Sequence, residues 1–215
     1  MRTAIICGVI VLIAALGRAD EPKPLVRPIT EAQSVIAVYY EDWGLASARE
    51  PEIICAAWPD GHLVWSDDRI RGGPPYHAAQ LDPQKFAKLI ARFENDGLFA
   101  DGKLNDAQWG PDSEFITVLI KSGKRKVDMS SWHELFEANG GLVTSGGVLL
   151  AEKRPRLEVL RKEPADYLFY RMVWSETRTS IAALIPRAGQ PTTGKPFMKA
   201  AELSWQEPRP PDTHK

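Results

Sequence analysis

The run His133-Glu134-Leu135-Phe136-Glu137 comes nearest to chemistry in this chain. A zinc protease helix reads His-Glu-x-x-His, so that two imidazoles one turn apart grip the metal and the glutamate serves as base. Here Glu137 stands where the second imidazole belongs. His133 and Glu137, at i and i+4, could still chelate a cation, with His62 or His77 completing a mixed nitrogen and oxygen set. His133 and Glu134 are therefore the candidate catalytic pair, and His62, His77, His133 and Glu137 the candidate metal ligands. A structural reading competes. Ser131-x-x-Glu134 has the form of a capping box, in which the glutamate returns to the cap N–H. With Trp132, Leu135 and Phe136 on the buried face, His133 would then turn toward solvent or a groove.

Other motifs fail on a missing atom. Gly189-Gln190-Pro191-Thr192-Thr193-Gly194-Lys195-Pro196 imitates a phosphate-binding loop, but Pro196 lacks the hydroxyl that would hold Mg²⁺. No nucleotide and no other cofactor is expected. Val143-Thr144-Ser145-Gly146-Gly147 lacks the first glycine of a nucleophile elbow. Lys121, Lys124, Arg125 and Lys126 straddle a turn and read as a solvated tip.

The aromatic residues point elsewhere. The chain has 7 Trp, and indoles outside a core can stack on sugar rings or anchor a partner. Trp43 and Trp109 fall in segments with loop composition, and Tyr76-His77 follow Gly72-Gly73-Pro74-Pro75. Together with His133 these form the candidate ligand-binding set: Trp43, Tyr76, His77, Trp109 and His133.

The elements that must position such groups can be read from patterning. The 215 residues carry 27 basic and 28 acidic side chains. This balance argues against a nucleic-acid-binding surface spread over the whole chain. Arg2 followed by the apolar run Ala4–Leu16 and then Gly17-Arg18-Ala19 reads as a signal peptide over 1–19, cleaved before Asp20. That run is shorter than the roughly 20 residues of a membrane-spanning helix, so no span is expected after cleavage. Cys55 would then be the sole cysteine, set among Ile53-Ile54 and Ala56-Ala57 as a small core hydrophobe.

Residues 20–30 carry Pro22, Pro24 and Pro28 and suit an extended leader. Val35–Tyr40 is a strand candidate. Glu52–Trp58 and His62–Ser66 flank Pro59-Asp60-Gly61, a hairpin turn, and Glu114–Lys121 and Arg125–Ser130 form a second hairpin. Asp67–Gln80 reads as a loop. Asp82 caps a helix with Pro83 at its first position, Phe86, Leu89, Ile90 and Phe93 on one face, and Gly97 as its stop. A short helix opens at Ser131–Glu134. Tyr167, Tyr170, Trp174, Thr177, Ile181 and Leu184 form one helical stripe ending at Pro186. The expected fold is α+β: an antiparallel sheet built from two hairpins and covered on one face by helices, over 31–187, with 188–215 a Pro-rich loose tail.

"AAWPDGHLVWSDD", "LDPQKFAKLIARFENDGLF", "ITVLIKSGKRKVDMSSWHE" and "YLFYRMVWSETRTSIAALIP", in that order, resemble uncharacterised exported bacterial proteins. Those have a Pro-Asp-Gly hairpin, a helix, a second hairpin and a Ser-Trp-His-Glu segment. The resemblance spans roughly residues 35–186. It implies export and fold and assigns no catalytic residue. The favoured reading is a periplasmic or secreted, non-catalytic binding module for a polysaccharide or an envelope protein. The alternatives are a metal-dependent hydrolase centred on His133 and a structural envelope protein.

Overall fold

The computed structural model describes residues 26–27, 34–42, 50–100, 108–109, 114–150, 156–199 and 202–206. Its strands are β1 (Val26–Arg27), β2 (Val35–Asp42), β3 (Glu52–Ala57), β4 (His62–Ser66), β5 (Tyr76–Gln80), β6 (Gln108–Trp109), β7 (Glu114–Ser122), β8 (Arg125–Ser131), β9 (Gly141–Thr144), β10 (Gly147–Leu150), β11 (Gln190–Thr192), β12 (Lys195–Lys199) and β13 (Glu202–Gln206). The helices are α1 (Pro83–Asn95), α2 (His133–Glu137), α3 (Arg156–Leu160) and α4 (Ala165–Ala182). The main sheet runs β11-β5-β4-β3-β2-β7-β8-β6. Its pairings are antiparallel except that of β6 with β8. The fold is α+β, as the sequence predicts.

β2 joins the two hairpins, pairing with β3 on one side and β7 on the other. Such a central strand is buried on both faces, which is why it reads as the unbroken apolar run Val-Ile-Ala-Val rather than an alternation. Ile36 and Val38 face α1 and α4, within a cluster that holds Phe86, Phe93 and Trp174. Val35, Ala37 and Tyr39 belong to a second cluster with Ile53, Val64 and Tyr76. Cys55 lies in the helix-side core and is 2% exposed. Burial pushes its thiol up to about 11, well away from the reactive thiolate range.

Turn chemistry fixes the register. At the first hairpin Asp60 Oδ1 accepts the His62 N–H at 3.0 Å, and Gly61 adopts φ +87°. A Cβ at Gly61 would lie 2.1 Å from the Leu81 carbonyl oxygen, so glycine is required there sterically as well. Asp82 caps α1 by accepting the Gln84 N–H at 2.9 Å. The buried face of α1 is Phe86, Leu89, Ile90 and Phe93, the stripe expected from spacing. That of α4 is Tyr167, Tyr170, Trp174, Thr177 and Ile181.

Three expectations change. The end of the Asp67–Gln80 stretch is β5, a sheet strand whose alternation is masked because Tyr76 and His77 are both aromatic-like and sit on opposite faces. The segment expected as a loose tail supplies the edge strand β11 and the paired strands β12 and β13. Gly189, in the imitation phosphate loop, lies against Trp65: a Cβ there would sit 2.2 Å from the indole Cη2. The leader likewise contributes β1, paired with β13. Short pairings of this kind leave too little apolar periodicity to read in advance. Among the described residues no helix is long and apolar enough to cross a membrane.

Candidate functional site

α2 follows directly from β8, and its polar residues face α4. Ser131, at the end of β8, shares a hydrogen bond of 2.5 Å with His133 Nδ1 and accepts the His133 N–H at 3.4 Å. The imidazole lies edge-on to Trp174, with ring centroids 5.8 Å apart. His133 is 7% exposed, and burial, aided by the Arg171 charge, lowers its pKa to about 4. The ring is therefore neutral at pH 7, with Nδ1 able to accept the Ser131 hydroxyl proton.

Glu134 does not form the capping box. Trp132 occupies the cap position without a side-chain cap bond. The Glu134 carboxylate instead crosses to α4, accepting Trp174 Nε1–H at 2.6 Å and Arg178 N–H groups at 2.9–3.1 Å. Burial pushes this carboxyl up, but the Arg178 charge and the bonds from Arg178 and Trp174 outweigh burial and hold it below the usual carboxylate value. Glu137 accepts Arg171 at 2.5 and 2.7 Å and the Val143 N–H at 3.3 Å, and it pairs with Arg156. Arg171, Trp174 and Arg178 fall at i, i+3 and i+7 on one face of α4, matching Glu134 and Glu137 one turn apart on α2. The arrangement is a clip that seats α4. Phe136, expected on the buried face, is 38% exposed, whereas His133 took the inner position.

A general base needs a free lone pair within reach of a substrate. Both carboxylates spend theirs on guanidinium groups, and His133 is buried with its ring edge-on to Trp174. The candidate metal ligands are dispersed. His62 begins β4 and packs on Trp58, with ring centroids 5.3 Å apart. His77, in β5, stacks over Trp65 at 5.7 Å and places Nε2 2.9 Å from Asp67 Oδ1. His133 and Glu137 lie across the sheet, past β8. Among the described residues no group of three or more His, Cys, Asp or Glu could hold a metal ion.

Of the aromatic set, the described side chains of Tyr76, His77 and His133 are not gathered into one surface either. Tyr76 is 4% exposed within the second-face cluster, while its neighbour His77 lies on the helix side beside Trp65. Trp109 is placed only by its backbone, which pairs with Ser131. Trp43 lies outside the described residues.

A different surface is open. Between the end of α1 and the outer side of α4 runs a groove of about 200 Å³, lined by Phe93, Leu98, Phe169, Met172 and Val173. Phe169 and Met172 are 51% and 53% exposed. Arg92 bridges the helices, donating to Ser180 Oγ at 3.2 Å and to Asp96 Oδ2 at 3.3 Å. Glu176, on the rim, has no ion pair among the described residues. Reading α4 as a single stripe hid this groove. The available signal was that Phe169 and Met172, two large apolar residues three apart, lie off the buried stripe.

No family model matches the chain, and neither a curated protein nor a solved structure matches it.

Proposed function

We propose that the protein is an exported, non-catalytic binding module that engages a polypeptide partner through the α1–α4 groove. The observation that carries this reading is the half-exposed pair Phe169 and Met172 on a helix whose other face is fully packed. Methionine with an aromatic residue on an open surface is the composition of adaptable protein contacts. The volume narrows the occupant. About 200 Å³ is below the roughly 300–1,000 Å³ of sites that enclose a whole small molecule. It suits one inserted side chain. Export rests on the N-terminal signal pattern, and the resemblance to exported bacterial proteins points the same way.

Titration of the full chain with Nile red, a neutral apolar dye, tests the groove. One saturable site is expected, with the dye lying along the open groove and only part of its ring system inserted. The double variant Phe169→Ser plus Met172→Ser should weaken dye binding at least tenfold and keep the wild-type unfolding midpoint within a few degrees, because neither side chain is in the core. Dye bound equally by the variant would contradict the reading.

A further inference from the structure

From the charge pattern around the groove, and resting on the reading above, we infer that the partner segment carries a basic residue about one helical turn from the apolar side chain it inserts. Glu176 follows Met172 by four positions, so on α4 its carboxylate and the thioether occupy the same side. Both line the groove with Phe169. The other rim charges are already matched. Arg92 is held by Asp96, and Glu94 nearby accepts Ser122 at 2.8 Å and pairs with Arg125. Glu176 is exposed and has no ion pair among the described residues.

A segment that covers Met172 draws this carboxylate toward a drier edge. Burying a charge next to apolar surface is unfavourable without a counter-charge. A lysine or arginine on the partner supplies it, and the alkyl part of that side chain covers the methionine rim. An acidic partner would place like charges together and be rejected. The groove thus selects a cationic amphipathic segment over an acidic one of the same apolar content.

Two synthetic amphipathic peptides with one leucine stripe test this, one with a lysine rim and one with a glutamate rim. Their dissociation constants are measured with the full chain at low salt. The lysine peptide is expected to bind about two- to fivefold more tightly, the range of one exposed charge pair. The preference should shrink in 0.5 M salt, vanish in Glu176→Gln and invert in Glu176→Lys. Position 176 is exposed, so these variants keep the fold. Equal affinities that resist Glu176→Lys yet are lost in Phe169→Ser plus Met172→Ser would overturn the charge rule and leave the groove as the contact surface. Failure of both peptides while Nile red still occupies the groove would also overturn it. Failure of peptides and dye together would overturn the groove reading itself.

Discussion

Replacing Trp174 by alanine is expected to destabilise the protein by about 3–5 kcal/mol. This is the largest effect of any single substitution considered. The indole is fully buried at the junction of α4, α2 and the sheet. It supplies core volume, an edge-on neighbour for His133 and the Nε1–H donor to Glu134. Trp174→Phe separates these contributions. It keeps most of the ring but removes the donor to a partly buried carboxylate, and should cost about 1.5–3 kcal/mol. Urea denaturation followed by far-ultraviolet circular dichroism reads both changes. Equal losses for phenylalanine and alanine would show that the hydrogen bond to Glu134, and not the filled volume, dominates at this position.

Acid should weaken the fold in a window set by His133. Its pKa is depressed from an ordinary value near 6.5 to about 4 by burial and the Arg171 charge. Between those limits the unfolded chain binds a proton that the folded chain excludes. Stability from this group is therefore fully present above pH 6.5 and is lost as pH falls toward 4. The total loss is on the order of 3 kcal/mol. Glu134 acts lower. Its carboxyl is held below its usual range, so its contribution disappears only as pH falls through that depressed value. His133→Gln, which keeps a polar group beside Ser131, should flatten the stability profile between pH 6.5 and 4 and leave the steeper loss below it. An unchanged slope in that variant would show that His133 is accessible to protons in the folded state.

The sheet and its two main helices were legible because their signals are local. Pro59-Asp60-Gly61 dictates a turn, Asp82-Pro83 starts a helix, and the stripe from Tyr167 to Ile181 has one period. The short strands β5 and β11 were not legible, because three to five residues carry little periodicity and their partners are distant in sequence. The polar residues of α2 stand out by motif, but the motif does not give their role. Ser131-x-x-Glu134 permits a capping box, but only tertiary packing reveals Arg178 and Trp174 as stronger partners for that carboxylate. The same packing turned His133 inward. Tyr76 and His77 do not share a surface because they are consecutive on a strand, and strand geometry sends consecutive side chains to opposite faces. The groove depends on α1 and α4 lying side by side, which no spacing within either helix records.

The account joins two halves: the α2 carboxylates hold α4 in place, and the outer side of α4 is the proposed contact surface for a partner. Photo-crosslinking in intact producing cells tests the second half most directly. A photoreactive phenylalanine analogue would replace Met172, and in a control it would replace Lys88, exposed on α1 and absent from the groove lining. The account predicts a discrete adduct of one envelope polypeptide from position 172, none from position 88, and loss of the adduct when Phe169 is also changed to serine. Equal labelling from both positions, or no adduct from position 172, would contradict it.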